Sequence, residues 1–222
     1  PRGLTGNTSE PRRRLKYHFG SQTVQLDIWA PGPSDRLPQY YAEQANASTQ
    51  AMLNRTGLRS ANVQGATPDE ILRLQETEPV VMWEYSKVGH PNYTEVILKT
   101  GAGNCDQMAH VACELIRTNG GNAQVWMCQG HTFVVVGNIP AVLNTTVDFR
   151  AAEWANLWIS DPWTSLACPA QDYLRELRIK MHVWYLEDKS VFFHDGVNYR
   201  WAPANNRTWL GFLENSVKFP RP

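Results

Sequence analysis

The sequence predicts an α+β fold in which helices come first and an antiparallel sheet follows. Three observations lead to this prediction: helix-type patterns between residues 39 and 121, a series of short apolar segments after residue 124, and the turn pair Asp195-Gly196 among those segments. Strands that follow helices and are joined by tight turns favour antiparallel pairing. With 222 residues, 42% of them hydrophobic, the chain is long enough for one domain with a buried core.

One strand and two helices are predicted before residue 86. The strand covers the alternating segment 23–29, and the first helix covers 39–53. The second helix begins at Thr67-Pro68, because threonine can cap a helix and proline fits its first turn. We expect this helix to stop before Pro79, which has no N–H to donate, and residues 80–85 to form a further short helix or an extended piece.

The second half is predicted to contain six strands, bounded by turn residues and rich in valine, isoleucine and aromatic side chains. They cover 124–128, 132–137, 157–161, 182–186, 190–193 and 197–201. We expect the last three to form a meander, because Asp195-Gly196 is a strong hairpin signal.

The charge balance excludes a protein whose binding depends on the charge of the whole chain. Lys and Arg total 21 and so do Asp and Glu, which gives a formal net charge of zero. We therefore expect no nucleic-acid partner. We also expect no membrane span, because the longest apolar stretch, 132–143, is shorter than the roughly 18 residues that a spanning helix needs.

Basic residues are nevertheless concentrated near the start of the chain. The first twenty residues hold four Arg and one Lys against Glu10 alone, so we predict a basic arm over 1–20 and a single domain over 21–222. The arm lacks the apolar core of a secretory signal. Because the chain begins at Pro1 and not at methionine, we expect it to be part of a longer protein whose targeting signal lies upstream.

The four cysteines differ in their sequence context. They are too few for a disulfide framework and form no CxxC pair, so we predict no structural zinc site, no metal and no cofactor. Cys113, Cys128 and Cys168 are expected to be buried and inert. Cys105 follows the glycine-rich segment 101–103 and the potential cap Asn104, at the start of an amphipathic helix that ends at Gly120-Gly121. A helix N-terminus favours the thiolate form of cysteine, which makes Cys105 a candidate nucleophile.

A cysteine nucleophile needs a base, and His131 has the most suitable position. It follows Gly130 at the entry of the apolar strand 132–137, which would fix its place. A histidine that is only hydrogen bonded at a strand end is the alternative interpretation. His110 lies on the same predicted helix as Cys105, about 140° around its axis, and is expected at the surface.

An acid is needed to orient the imidazole, and Asp161 and Asp148 are the two candidates. Asp161 ends the apolar strand 157–161 and precedes Pro162-Trp163, whereas Asp148 lies in a polar loop. A turn aspartate before proline would have the same local sequence without any such role. We favour Asp161, because a carboxylate at the end of a core strand can be shielded from water and hydrogen bonded.

Three segments together resemble papain-like toxin and effector domains of bacteria: Gly-Asn-Cys105-Asp-Gln-Met-Ala, Gly-His131-Thr-Phe-Val-Val-Val-Gly and Asp161-Pro-Trp. The order Cys, His, Asp is shared by papain-like and transglutaminase-like hydrolases. The resemblance covers about residues 95 to 170 and implies a papain-like or transglutaminase-like α+β fold, with the nucleophile helix packed on an antiparallel sheet.

The resemblance also implies the role of each residue and the class of reaction. Cys105 would be the nucleophile, His131 the general base and acid, and Asp161 the orienting acid, with the backbone N–H of Cys105 in the oxyanion hole. The chain departs from papain in having no glutamine a few residues before the cysteine. Asn104 and Gln129 are therefore the candidates for a second oxyanion donor or substrate contact.

The resemblance leaves several functions open. We expect a thiol hydrolase that acts on amide bonds, namely a glutamine or asparagine deamidase, whose partner is a protein substrate such as a host or target-cell signalling protein. A cysteine protease, a transglutaminase and a catalytically inactive binding module on the same fold are the alternatives. Such a domain would be secreted or delivered into the cytoplasm of a target cell.

Overall fold

The structure, a computed structural model, describes residues 37–141 and 143–221 and the backbone of two earlier strands. Those strands, β1 (Arg14–Phe19) and β2 (Gln22–Asp27), form an antiparallel hairpin. β2 covers most of the strand predicted at 23–29, and residues 28 and 29 of that prediction lie outside the described residues. The predicted basic arm includes β1, and the rest of the arm also lies outside the described residues.

The remaining described residues alternate between helices and short strands. The helices are α1 (Leu37–Leu53), α2 (Pro68–Tyr85), α3 (Tyr93–Thr100), α4 (Cys105–Thr118), α5 (Tyr173–Leu186) and α6 (Arg207–Asn215). The strands are β3 (Val63–Gln64), β4 (Ala123–Cys128), β5 (His131–Val136), β6 (Trp158–Asp161), β7 (Leu166–Pro169), β8 (Ser190–His194), β9 (Tyr199–Pro203) and β10 (Phe219–Pro220).

The strands of this part of the chain form two antiparallel sheets. The larger sheet has the order β10-β4-β5-β6-β7, and the smaller has the order β3-β8-β9. The fold is therefore α+β with antiparallel sheets, as predicted. The β8–β9 hairpin turns at Asp195-Gly196, where Gly196 has a φ of 103° that favours glycine.

The strand β5 is the centre of the larger sheet, and every one of its residues is buried. Its alternate side chains enter two apolar clusters: Phe133 and Val135 pack on one face of the sheet, and Val134 and Val136 on the other. A strand covered on both faces loses the usual polar alternation, which explains the continuous apolar run in the sequence. His131 opens this strand and is held at a fixed depth in the core.

Helices α1 and α4 cover one face of the larger sheet. Ala42 and Ala45 of α1 and Ala109 and Ala112 of α4 are fully buried in one cluster with valines of the sheet. Small side chains allow the two helices to approach each other closely. The nucleophile helix predicted after Asn104 is thus packed on an antiparallel sheet, with its first residue at the edge of the core.

The prediction that the second helix stops before Pro79 is wrong. α2 continues to Tyr85, and residues 80–85 belong to it. Pro79 lies on the exposed side of the helix, where water can satisfy the carbonyl that lacks its partner. Thr77, Val81 and Glu84 are buried on the opposite side, so tertiary packing outweighs the local cost of the proline.

The strand predicted at 182–186 is also wrong, because these residues form the last part of α5. Tyr173, Leu177, Met181 and Trp184 are buried at intervals of three and four residues, which is helical spacing. The segment 182–186 is too short for its pattern to distinguish the two-residue period of a strand from the 3.6-residue period of a helix.

Several elements were not predicted from the sequence. They are α3, the first part of α5, α6, and the strands β1, β3, β7 and β10. The start of α6 has a sequence signal, because asparagine is a preferred N-cap residue. The side chain of Asn206 accepts hydrogen bonds from Thr208 N and Trp209 N at 3.0 and 3.2 Å. In the described residues, no helix combines the length and the apolar character that a membrane crossing requires.

Candidate active site

Cys105 is the first residue of α4, and the capping of this helix fixes its position. Gln107 folds back, so that its Oε1 accepts a hydrogen bond from Asn104 N at 3.0 Å. The backbone N–H of Cys105 belongs to the first turn and has no partner within the helix. A thiol at this point lies beside unpaired N–H groups and the positive end of the helix dipole, as the sequence predicts.

The glycines before Cys105 are explained by neighbouring side chains. Gly101 ends α3 with a φ of 70°, and a Cβ there would lie 2.6 Å from Thr56 Cγ2. At Gly103 a Cβ would lie 2.7 Å from the Cβ of Gln107. The glycine-rich approach therefore allows the loop to pass Thr56 and Gln107 and brings Asn104 to the cap position.

His131 opens β5 directly after the hairpin turn at Gln129-Gly130. Its side chain is fully buried, and its Nε2–H donates to Oδ2 of Asp161 at 2.8 Å. Nδ1 makes no hydrogen bond within the described residues. Cys105 is near enough to help raise the pKa of the imidazole. The imidazole is therefore bound to the carboxylate through Nε2, with the Cys105 thiol among its neighbours.

Asp161 ends β6 and is enclosed by hydrogen-bond donors. Besides His131, Tyr173 donates its hydroxyl to Oδ2 at 2.9 Å, and Thr164 N donates to Oδ1 at 3.3 Å. Asp148, the rival candidate, lies in an exposed pair with Arg150. Of the two candidate acids, the structure places Asp161 and not Asp148 against the imidazole.

The pKa values of His131 and Asp161 shift in the directions of an ion pair. Burial acts to lower the pKa of His131, but the charge and hydrogen bond of Asp161 and the nearby Cys105 together raise it well above its ordinary value. Burial acts to raise the pKa of Asp161, but His131, Thr164 and Tyr173 lower it on balance. Both shifts favour imidazolium next to carboxylate.

Trp163 covers the His131–Asp161 pair. Its ring centroid lies 5.0 Å from that of His131, and its exposed fraction is 5%. Its Nε1–H points to residues 60–62, lying 2.8 Å from Asn62 Oδ1 and 3.1 Å from Ser60 Oγ. The ring therefore separates the pair from water, which strengthens the interaction between its charges.

Residues 60–62 also hold the segment that precedes Cys105. Oδ1 of Asn104 accepts a hydrogen bond from Ala61 N at 2.9 Å and lies 3.1 Å from Ser60 Oγ. The segment thus bridges Trp163 on one side and Asn104 on the other. An oxyanion hole needs N–H donors, so the predicted oxyanion role of Asn104 would fall to its Nδ2, while these contacts hold its Oδ1.

Gln129, the other predicted oxyanion candidate, lies at the exposed hairpin turn, and its backbone N donates to Ser216 Oγ at 3.2 Å. Gln107 was missed, although glutamine three residues after an asparagine cap is a capping-box signal. It is fully buried, and its Nε2 has no hydrogen-bond partner within the described residues.

The other three cysteines and His110 have different surroundings. Burial is the main cause that raises the pKa of the Cys113 thiol to about 11, that of Cys168 to about 12, and that of Cys128 above its ordinary value. His110 is half-buried and not at the surface: its Nδ1–H donates to Asp106 O at 2.9 Å, and its ring packs on Tyr93. Its position gives it no contact with the imidazole of His131.

A cleft of about 230 Å³ lies next to the proposed site, and its lining includes neither Cys105 nor His131. Met108, one helical turn after Cys105, and Trp163, which covers His131, both line it. Within the described residues, no group of three or more His, Cys, Asp and Glu side chains is arranged to hold a metal ion. Comparisons with protein-family models, curated proteins and solved structures found no match.

Proposed function

We propose that this chain is a papain-like thiol hydrolase acting on amide bonds of proteins. The observation that carries the proposal is the buried His131–Asp161 pair beside a cysteine that opens a helix. In this arrangement Nε2 of the imidazole faces the acid, and Nδ1 is left for the thiol. That geometry supports Cys105 as nucleophile, His131 as general base and acid, and Asp161 as the orienting acid.

The reaction proceeds in two halves. The Cys105 thiolate attacks the amide carbon, and the oxygen that becomes negative lies near the free N–H of Cys105 at the helix start. The imidazolium of His131 then gives its proton to the departing nitrogen, which leaves a thioester. His131 next takes a proton from water, and the hydroxide attacks the thioester to release the acid and restore the thiol.

The closed form of the site favours a glutamine or asparagine side chain as the reacting amide. Cys105 is only 7% exposed, and His131 only 2%. A protease must accommodate an extended main chain on both sides of the scissile bond, whereas a deamidase needs to admit one carboxamide. The departing group is then ammonia, and the product is a glutamate or aspartate in the protein substrate.

Thiol alkylation tests the catalytic machinery without a known substrate. At pH 6 an ordinary thiol is almost fully protonated, so iodoacetamide should modify Cys105 selectively if the ion pair is present. Intact mass should show one label in the unaltered protein and in Cys113→Ala, and none in Cys105→Ala. His131→Gln should lower the rate at least tenfold; an unchanged rate would show that His131 does not activate the thiol.

Intact-mass analysis of candidate protein substrates distinguishes the reactions. Deamidation adds about one dalton per site, proteolysis produces fragments, and transamidation adds the mass of the amine. Cys105→Ser serves as the inactive control. A chain with a reactive Cys105 that leaves all substrates unchanged, even at high enzyme concentration, would favour the binding-module alternative.

A further inference from the structure

The cleft is lined by residues that contact or neighbour the proposed catalytic groups, although Cys105, His131 and Asp161 do not themselves line it. Met108 lies three residues after Cys105, so both side chains project from the same side of α4. Trp163 forms part of the cleft wall and touches the ring of His131. Ser60, which also lines the cleft, is held against Asn104. A group bound in this cleft would therefore lie one side chain away from Cys105 and His131.

The charged residues that line the cleft are unequal in sign. Four are basic, namely Arg59, Arg73, Lys180 and Lys189, and Glu70 alone is acidic. We call this site the basic cleft. The chain as a whole has no net charge, so this excess is a local property of the surface next to the nucleophile.

The two arginines are largely committed to the fold. Arg73 binds Glu70 at 3.1 Å and donates to the carbonyl oxygens of Leu58, Ser60 and Val63 at 2.6 to 2.8 Å. Arg59 is exposed, and its NH1 lies 3.5 Å from the same carboxylate. Two arginines thus face the single carboxylate of Glu70, and Lys180 and Lys189 add further positive charge to this side of the cleft.

The two lysines flank an aromatic side chain of the cleft. Lys180 Nζ lies 6.0 Å and Lys189 Nζ 5.4 Å from the ring centroid of Trp184, which in turn packs on Trp163 at 5.0 Å. Lys180 forms no ion pair among the described residues, and Lys189 pairs with Glu187, which does not line the cleft. Two ammonium groups are thereby presented on an apolar wall.

We propose that the basic cleft binds acidic side chains next to the target carboxamide, so that the substrate is a protein segment with glutamates or aspartates around the modified residue. This inference rests on the proposed function, because it assigns the substrate class of the same site. The lysines are half-buried and in contact with solvent, so the attraction should weaken as salt is raised.

The test uses peptides that carry a chloroacetamide in place of the target carboxamide, flanked by glutamates, serines or lysines. Intact mass gives the rate of modification of Cys105, with Cys105→Ala to identify labelling elsewhere. We expect the glutamate peptide to react about 3- to 10-fold faster than the lysine peptide at low salt, as two charge pairs in contact with solvent allow. The difference should disappear in 0.5 M NaCl.

Charge variants assign the preference to the cleft. The double change Lys180→Glu and Lys189→Glu should reverse it, and Lys180→Gln with Lys189→Gln should abolish it. Lys87→Glu is the matched control, because Lys87 Nζ stands 5.6 Å from the Trp83 ring and does not line the cleft; it should keep the preference.

Iodoacetamide distinguishes a failure of the basic cleft to select substrates from a failure of the proposed function. Its rate with Cys105 should be the same in the unaltered protein and in all lysine variants, because the reagent carries no charge. If that rate is high but the glutamate and lysine peptides react equally, or the double glutamate variant keeps the original preference, the basic cleft does not select acidic segments. If iodoacetamide fails to label Cys105 selectively, the proposed function is wrong instead.

Discussion

The hydroxyl of Tyr173 lies 2.9 Å from Oδ2 of Asp161, the same oxygen that accepts from His131 at 2.8 Å. Thr164 N donates to the other oxygen of this carboxylate. Every polar contact of the Asp161 side chain is thus a donor, which suits a carboxylate without a proton. The negative charge next to His131 is therefore maintained although no part of Asp161 is exposed to water.

Asp161→Asn should weaken the thiolate–imidazolium pair. Asp161 raises the pKa of His131, and loss of an opposite charge at this distance lowers an imidazolium pKa by about 1 to 3. The imidazolium is then lost at lower pH, and iodoacetamide labelling of Cys105 at pH 6 should fall about tenfold or more. The measurement is the labelling rate between pH 4 and 9.

Tyr173→Phe is the control for this change, because it removes a hydrogen bond from the same oxygen and leaves the charge. In this variant the labelling rate of Cys105 at acidic pH should be unchanged. The free energy of unfolding should fall by about 1 to 3 kcal/mol. If both variants shift the profile equally, the effect of Asp161 is one of local packing and not of its charge.

Trp163 should contribute to stability both through its ring and through its N–H. Trp163→Ala removes a buried ring that packs on His131 and Trp184, and should lower the free energy of unfolding by about 3 to 5 kcal/mol. Trp163→Phe keeps an aromatic ring but loses the contacts to Ser60 and Asn62, and should cost about 1 to 2 kcal/mol. Urea unfolding measures both. An unchanged stability of Trp163→Phe would contradict the role of the N–H, and equal losses in the two variants would contradict the role of the ring.

Glu84 should make the protein less stable as the pH rises towards neutrality. The side chain is fully buried between α2 and the end of α3, and one carboxylate oxygen is bound by Thr100. Burial raises its pKa from 4.5 to about 7 despite this hydrogen bond. The folded state therefore holds the proton more tightly than the unfolded state, so the free energy of unfolding falls between pH 4.5 and 7, by up to about 3 kcal/mol.

Glu84→Gln should remove this fall, because the amide does not ionise. Denaturant unfolding at pH 5 and pH 8 gives the change for each protein, and the difference between the two changes isolates Glu84. Glu76→Gln is the matched control, since Glu76 lies on the exposed side of the same helix. An equal pH dependence in Glu84→Gln and Glu76→Gln would show that the buried carboxyl does not hold its proton at pH 5 to 7.

Pro79→Ala should stabilise the protein. Pro79 lies in the interior of α2 on its exposed side, so alanine can donate the missing N–H to Gln75 O without disturbing the buried face. The greater freedom of the unfolded chain offsets part of the gain, and we expect about 1 to 2 kcal/mol from thermal or urea unfolding. A decrease in stability would mean that the restriction which proline places on the unfolded chain outweighs the missing hydrogen bond.

The positions of Cys105, His131 and Asp161 could be predicted because each residue stands at the end of a well-marked element. A cap residue precedes the first, a tight turn the second, and a proline follows the third. Local sequence therefore indicated three candidates, and their proximity in the structure comes from the pairing of β5 with β6 and the packing of α4 on β5.

The parts that could not be predicted depend on contacts between distant residues. The hydrogen bond from Trp163 to Ser60 spans 103 residues, and no sequence pattern near Ser60 indicates this contact. The error at 182–186 has a different origin, because valine and aromatic residues fit either element and only the longer spacing from Tyr173 identifies the helix. Pro79 shows the converse, in which a clear local signal is outweighed by burial of its neighbours.

The bridge formed by residues 60–62 affects when the site is assembled. Because it connects the loop before Cys105 to the loop after Asp161, the two loops are held in register before any ligand arrives. The loss of conformational entropy that this alignment requires occurs during folding, and substrate binding does not have to supply it. Reactivity of Cys105 should accordingly disappear together with the fold in a single transition, and not at milder conditions that leave the rest of the domain intact.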